Sequence, residues 1–289
     1  MKANYCLNTS TIRNCGLNIQ QKIEITAKAG YQGIELWVSE IESYLQEGGS
    51  LSKLKSILDK NTIKVPNLIA FFQWANPDDN IRAKALEEAK QVFEMAEALD
   101  CSYVAAPPSG ITEMSDLPIE DVAEYYKGLL EATQSMEAKP LLEFWGHSKK
   151  LGSLAEAIEI INIFDDPKIV ILFDIFHSSK TDSNFDLLGK LKGNQIGLIH
   201  VNDYPYADDI KQLKDSQRVY PGDGVAPMDK IVNTLTQIGY SGMLSLELFN
   251  EEYEKAGAES VVKTGIEKMK KVFVCPVDSV KTFVDVVTA

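Results

Sequence analysis

The sequence predicts a single-domain α/β protein with eight strand–helix units closed into a (β/α)₈ barrel. Short runs rich in β-branched and aromatic residues alternate with longer amphipathic segments along the 289-residue chain. This alternation is typical of strand–helix units around a parallel sheet. Most runs start about 30 to 40 residues apart, which suits the period of such units. We assign 1–275 to the barrel and 276–289 to a C-terminal extension.

Eight runs mark the predicted strands. They are YCLNTST from Tyr5, GIELWV from Gly33, KVPNLIAFF from Lys64, SYVAAPP from Ser102, PLLEFWG from Pro140, KIVILFDIFH from Lys168, QIGLIHVND from Gln195 and GMLSLELFN from Gly242. An open doubly wound sheet is the alternative arrangement, but that fold often carries a glycine-rich phosphate turn after its first strand. LNTSTIRNCG contains no such turn, so a closed barrel is favoured.

The segment DNIRAKALEEAKQVFEMAEAL represents the predicted helices. Apolar residues recur at helical spacing, at Ala85, Ala89, Val92, Phe93 and Ala96. An aspartate accepts hydrogen bonds from the free N–H groups of a first turn, so Asp79 is the predicted N-cap. Such helices would pack their apolar faces on the sheet.

The net charge of -13 argues against partners that carry phosphate backbones or anionic lipid. The basic residues that do cluster are Lys263, Lys268, Lys270 and Lys271. They fall in a predicted helix interrupted by an acidic residue, and we interpret them as a solvated helix face. We therefore expect a small-molecule partner and no nucleic acid or membrane. The oligomeric state is left open, with a homodimer among the alternatives.

The cysteines and the N-terminus predict a cytoplasmic protein. Cys6, Cys15, Cys101 and Cys275 are scattered and show no C-x-x-C spacing, which fits a reducing compartment. MKANYCLNTST lacks the apolar run of a signal peptide. No stretch approaches the roughly 20 apolar residues that span a bilayer.

Ionisable residues stand near the ends of the four late predicted strands. They are Glu143 in LLEFWG, Asp174 in ILFDIF, His200 in GLIHVND and Glu247 in LSLELF. Burying an unpartnered carboxylate is costly, and strand ends of a barrel meet at one mouth, so the simplest arrangement is a shared cation. Three carboxylates and one imidazole suit one divalent ion, with Mn²⁺ or Zn²⁺ favoured and Co²⁺ or Mg²⁺ as alternatives.

The chain has only three histidines, too few for a histidine-rich multi-metal nuclease centre. His177 follows Asp174 by three residues, and Arg218 lies in DSQRVYPGDG, whose glycines predict a tight turn over the mouth. Both are candidate substrate-binding residues, and His147 in WGHS is a further one. A structural histidine and a surface ion pair are the alternative interpretations of His177 and Arg218.

Five aromatic residues are candidate walls of the pocket, although an aromatic side chain near a strand end is more often part of the core. They are Trp37, Phe71, Phe72, Trp74 and Trp145.

Over nearly its whole length the chain resembles the xylose isomerase-like TIM barrels, the group of sugar phosphate isomerases and epimerases. The segments LEFWGH, FDIFHSSKTDSN, IHVNDYP, RVYPGDG and SLELFNEEYEK resemble most the inosose isomerase branch, whose substrate is 2-keto-myo-inositol. This resemblance implies a role in carbohydrate metabolism and inositol catabolism. It implies the same metal ligands, Glu143, Asp174, His200 and Glu247. It also places Asn8 where the family presents a polar residue, which makes Asn8 a candidate substrate-binding residue.

Together with these residues, the resemblance implies proton transfer on a keto-polyol or sugar. A metal that chelates a carbonyl and the adjacent hydroxyl would stabilise an enediolate, and Glu143 and Glu247 would remove and return the proton. Reprotonation of the neighbouring carbon gives an isomerase, and reprotonation of the same carbon gives an epimerase. Ketose 3-epimerases carry a second glutamate shortly after the fifth-strand ligand, where this chain has GHSKK. This difference argues against the epimerase alternative. An inosose dehydratase-type lyase and a non-catalytic sugar-binding barrel are further alternatives.

Overall fold

Eight parallel strands form a closed barrel in the computed structural model, which describes residues 3–164 and 169–273. The strands are β1 (Asn4–Asn8), β2 (Gly33–Trp37), β3 (Asn67–Ile69), β4 (Tyr103–Ala106), β5 (Lys139–Glu143), β6 (Val170–Asp174), β7 (Ile196–Val201) and β8 (Met243–Leu246). β1 and β5 begin one residue before their predicted runs and the other six strands lie within theirs, so the predicted fold is confirmed. The expected extension, 276–289, lies outside the described residues.

Pairing of the first strand with the last closes the sheet. Cys6 lies opposite Ser245 and Leu7 opposite Leu246, both in parallel register. Every strand therefore ends at the same rim, so the residues that terminate β5 to β8 are brought together although they are far apart in sequence.

The alternation of side-chain direction along each strand determines which residues point into the barrel. Successive side chains of a strand point to opposite faces, so residues two apart share one face. Leu141 and Glu143 share one face, as do Leu172 and Asp174. The apolar members of this inner layer form a small buried cluster, made of Ile69, Ala105, Leu141, Val170, Leu172 and Leu198. The polar members thus stand above an apolar floor.

Helices cover the outer face of the sheet and bury a larger apolar cluster against it. They are α1 (Ile19–Ala29), α2 (Val38–Gln46), α3 (Leu51–Lys60), α4 (Asp79–Ala98), α5 (Ile119–Ala132), α6 (Leu154–Phe164), α7 (Ile175–Ser179), α8 (Met228–Gln237), α9 (Glu251–Glu254) and α10 (Ala258–Val272). Short 3₁₀ turns lie at Thr9–Ile12, Leu187–Lys190, Gly193–Gln195, Ile210–Gln212 and Asp215–Gln217. The cluster of lysines from Lys263 to Lys271 lies on α10, as predicted.

Local sequence explains how the helices begin. Asn18 and Gln21 form a reciprocal capping box at the start of α1. The N-cap of α4 is Asp78, whose carboxylate accepts from the backbone N–H of Asn80 and Ile81. The sequence-based choice of Asp79 was therefore wrong by one residue. Asp79 is already helical, and its carboxylate pairs with Arg82 instead.

Among the described residues no helix combines the length and the apolar character that a bilayer crossing requires.

Candidate metal and active site

The four ionisable residues predicted at strand ends lie at one rim of the barrel. Glu143 and Asp174 terminate β5 and β6, His200 is the penultimate residue of β7, and Glu247 directly follows β8. All four are buried, with at most 6% of the residue exposed. Glu143, His200 and Glu247 line a cavity of about 270 Å³, and Asp174 contacts two of its lining residues, His200 and Arg218.

Three of the four residues converge closely enough to hold one ion. Ligand atoms of Asp174, His200 and Glu247 all lie within 4.8 Å of one another. His200 Nδ1 is 3.0 Å from Glu247 Oε2 and 3.6 Å from Asp174 Oδ2. Neither approach has the geometry of a hydrogen bond, so this buried nitrogen has no hydrogen-bond partner among the described residues. A buried imidazole nitrogen facing two carboxylates is a donor set that fits Zn²⁺ or Mn²⁺.

Glu143 borders the same cavity but stands outside this group of three. Burial raises the pKa of its carboxyl to about 8, a rise to which Glu247 and Asp174 add and which His200 opposes. Its assignment as a fourth ligand stays a prediction. Glu143 lies at the end of β5 and takes no part in the ion pairs of the other three residues. Its carboxyl group therefore remains available at the cavity.

Arg218 pairs with three carboxylates at the base of the cavity. Its Nη1 donates to Asp174 Oδ2 at 2.8 Å and to Glu247 Oε2 at 2.7 Å, and its Nη2 donates to Asp215 Oδ1 at 2.6 Å. Burial disfavours the charge on Asp174, but the Arg218 guanidinium, His177 and His200 together outweigh this effect and hold the pKa of Asp174 well below its usual range. The predicted loop thus places a cation in the site. The ion pair between Arg218 and Asp174 is buried, with Arg218 only 1% exposed.

His177 and His147 stand on the same side of the cavity, with ring centroids 5.6 Å apart. His177 is buried, and burial lowers its pKa to about 3, so its ring is neutral. Its Nε2 lies 3.3 Å from Arg218 Nη2, while its Nδ1 has no partner among the described residues. His147 is exposed at the mouth and stacks on Trp145. Both rings border the space where a substrate would lie.

Asn8 lies behind Glu247, and its amide is fully engaged by the protein. Its Nδ2 is 3.0 Å from Glu247 Oε1 and 3.4 Å from Glu35 Oε2. Its Oδ1 accepts from Trp37 Nε1 and from the backbone N–H of Ser10. These contacts favour a role in holding Glu247 over the substrate contact that we expected from the sequence.

Glu35 is the buried acid that the sequence analysis did not select. It lies in the middle of β2, fully buried, with its two carboxylate oxygens 3.2 and 3.1 Å from His200 Nε2. Burial alone would raise its pKa, but the charge and hydrogen bond of His200 outweigh this and lower it. The signal was present, because GIELW places one charge inside an otherwise apolar strand.

Aromatic side chains form the upper wall of the cavity, but not all those predicted. Trp37, Phe71 and Trp145 line it, together with Phe249. Phe72 and Trp74 do not. Trp74 is fully buried, and its indole N–H donates to the carbonyl of Pro107, which makes it part of the core.

Asp203 organises the loop that carries Arg218. Its carboxylate accepts from the backbone N–H groups of Gly222 and Gly224 at 3.0 Å and of Ala226 at 2.9 Å. Gly222 has a φ of 84°, in the left-handed region that favours glycine. The tight turn predicted from these glycines is present, and it is pinned to the carboxyl end of β7.

Comparison with known proteins adds independent information. A family model described as xylose isomerase-like TIM barrel matches residues 23–272. Inosose isomerase from Bacillus velezensis is 30% identical over 276 residues, which cover 92% of this chain and 96% of the relative. A crystal structure of the IolI protein with a bound zinc atom aligns with a TM-score of 0.86 at 27% identity, covering 93% of this chain and 98% of that one. A 3-dehydroshikimate dehydratase from Pseudomonas aeruginosa is 22% identical over 260 residues, which cover 87% of this chain and 39% of that protein.

Proposed function

The chain belongs to the xylose isomerase-like TIM-barrel family, and from this premise we propose that it is a divalent-metal-dependent isomerase of a small keto-polyol of the inosose type. The observation that carries the proposal is the convergence of Asp174, His200 and Glu247 at the floor of a cavity that Glu143 also borders. The two carboxylates and the imidazole of these three residues meet there, and the carboxyl group of Glu143 borders the space for a substrate.

The donor set supports one divalent ion held by Asp174, His200 and Glu247, with Glu143 as the proposed fourth ligand. Zn²⁺ is our first choice of metal and Mn²⁺ our second, because zinc occupies the IolI structure that this chain resembles. Such an ion, when bound, would polarise a carbonyl and the adjacent hydroxyl and so acidify the C–H bond of the hydroxyl-bearing carbon.

The chain supplies two acids that can move the proton. Glu247 is oriented from behind by Asn8 and Arg218, whereas none of the ion pairs among the described residues involves Glu143. The two acids come from β8 and β5, so they approach a substrate from different sides of the rim. We propose that one removes the proton from the hydroxyl-bearing carbon and that the other gives a proton to the neighbouring carbonyl carbon, while the proton of the hydroxyl group passes to the former carbonyl oxygen.

The cavity suits an uncharged substrate of modest size. Its volume is about 270 Å³, and its lining contains one fixed cation, Arg218, whose charge is already shared by Asp174, Asp215 and Glu247. Apart from the proposed ion, a phosphate ester would meet no unshared positive side chain along this lining. Aromatic walls and the ring nitrogens of His147 and His177 instead suit the C–H faces and hydroxyl groups of a polyol.

A lyase is the second candidate function, because the dehydratase relative matches most of this chain. The same proton abstraction would then lead to loss of a β-hydroxyl as water, with one of the two glutamates protonating the leaving oxygen. Product mass separates the two reactions, since isomerisation conserves mass and dehydration removes one water.

The test is incubation of the zinc- or manganese-loaded protein with an inosose in deuterated water, followed by NMR and mass spectrometry. We expect a product that is an isomer of the substrate and carries deuterium at the carbon that receives the proton. Protein stripped of metal with a chelator is the matched control and should be inactive until metal is restored. An inosose that binds but is never converted, whatever metal is added, would favour a binding protein and contradict the proposal.

A further inference from the structure

Glu35 is a buried charge that takes no part in the proposed reaction. It is fully buried in β2, does not line the cavity, and is not one of the three converging ligands. Burying a carboxylate is costly unless polar partners surround it, and Glu35 has several. Asn67 Nδ2 donates to Oε1 at 2.8 Å, and the Ser245 hydroxyl donates to Oε2.

The partner that distinguishes Glu35 is His200. Both carboxylate oxygens lie within 3.2 Å of Nε2, on the side of the ring opposite the converging carboxylates. A carboxylate only accepts hydrogen bonds, so Nε2 must carry the proton that joins them. Nδ1 is therefore the nitrogen that His200 presents to Asp174 and Glu247, 3.6 and 3.0 Å away.

We propose that Glu35 is a positioning residue for the metal site, which keeps the His200 ring in the orientation and tautomer that direct Nδ1 at the ion. The inference rests on the metal site of the proposed function. A hydrogen bond from the remote ring nitrogen to a carboxylate fixes a histidine ligand and raises its basicity, and its loss typically lowers metal affinity about 10- to 100-fold.

A purely structural role for Glu35 is the competing explanation. Asn67, Ser245 and Asn8 connect it to β3, β8 and β1, so it also helps to hold strands of the barrel together. A structural role would change the thermal midpoint of the metal-free protein. It would not change the affinity of the folded protein for metal, nor the ligand field around that metal.

The deciding experiment compares zinc affinity between wild type and Glu35→Gln by competition with a chromophoric chelator. Glutamine keeps the shape and can still accept from Nε2, but it removes the charge. We expect affinity to fall about 10- to 100-fold, with a changed visible spectrum in the cobalt-substituted protein. Thr133→Val is the control, because it removes a buried hydrogen bond in another part of the barrel and should leave both readouts unchanged.

A double-mutant cycle and one measurement on wild type complete the test. In a His200→Ala background, Glu35→Gln should not lower zinc affinity further, because Glu35 acts through His200.

In zinc-loaded wild type, ¹⁵N NMR should show that His200 Nδ1 is bound to metal and that Nε2 is protonated. This measurement can be made even if Glu35→Gln fails to fold. Unchanged zinc affinity in a folded Glu35→Gln protein, or ligation through Nε2, would overturn the inference. Failure of wild type to bind zinc would instead overturn the metal site of the proposed function.

Discussion

Arg218 Nη1 lies 2.8 Å from Asp174 Oδ2, and both side chains are buried beneath the cavity. The pair joins the end of β6 to the loop that precedes α8. A buried charge whose partner is removed is strongly destabilising, so this contact couples the position of the loop to the charge state of the site. The same guanidinium contacts Glu247, and the loop therefore bears on two of the three converging residues.

Asp174→Asn should abolish stable metal binding. The substitution keeps the size of the side chain but removes one of the two carboxylates that face His200 Nδ1. Elemental analysis after gentle purification should find close to one ion per chain in wild type and almost none in the variant. Asp116→Asn, at an exposed position, is the control and should retain the ion. Undiminished metal content in Asp174→Asn would reject the site.

Glu143→Gln and Glu247→Gln should each lower kcat by at least about 100-fold, because glutamine cannot carry the proton. Metal content measured on the same samples separates loss of a ligand from loss of a proton carrier. Glu94→Gln, on the exposed face of α4, is the matched control and should be fully active. Deuterium incorporation at the wild-type rate in either active-site variant would remove that glutamate from the mechanism.

Gly224→Ala and Gly128→Ala should change stability in opposite directions. A Cβ on Gly224 would collide with the carbonyl of Tyr204 and the carboxylate of Asp203, so we expect a loss of about 1–3 kcal/mol in the free energy of unfolding. Gly128 lies inside α5, with only an ordinary contact 3.9 Å from a new Cβ. Alanine there should add about 0.5–1 kcal/mol through its higher helix propensity.

Urea denaturation of the metal-free proteins measures both glycine substitutions. Gly224→Ala should also reduce activity, since its loop carries Arg218, whereas Gly128→Ala should not. A Gly224→Ala protein as stable and as active as wild type would show that the loop does not depend on the Asp203 turn.

Cys15 should react with a thiol reagent well before Cys6 and Cys101. Cys15 is half-buried, whereas the other two are buried, and burial raises the pKa of the Cys101 thiol to about 12. The thiolate is the reactive form, so Cys101 is almost entirely unreactive at neutral pH. Timed alkylation of the native protein followed by peptide mass spectrometry should show this order. Labelling of Cys101 as fast as Cys15 would contradict the described burial.

Periodicity and charge placement were enough to predict the barrel and much of its site. An ionisable residue near the end of an apolar strand is costly to bury without a partner. Position alone therefore identified Asp174, His200 and Glu247 as candidate site residues. Glu35 did not, because the prediction rested on charges at the ends of the late strands, whereas this acid lies within an early one. Its importance depends on barrel closure, which brings β2 within reach of a ring on β7.

Other differences between expectation and structure have local causes. Asp78 and Asp79 are chemically identical candidates for the cap of α4, and the choice depends on the backbone angles of the turn before the helix. Phe72 and Trp74 follow the same strand as Phe71, but the chain turns there and buries the two rings in the core. Asn8 could be predicted as polar near the site, but not as an amide whose four hydrogen bonds are already satisfied.

The bond between Asn8 and Glu247 spans nearly the entire polypeptide, with 239 positions separating donor from acceptor. A chain still emerging from the ribosome lacks this contact until its final strand has been synthesised and has docked beside the first. Any shortened product that ends before Glu247 would lack this proposed ligand, and its Asn8 would have lost the carboxylate to which it donates. On the proposed function, metal would then bind only after the barrel has closed, and incompletely synthesised chains would have no activity.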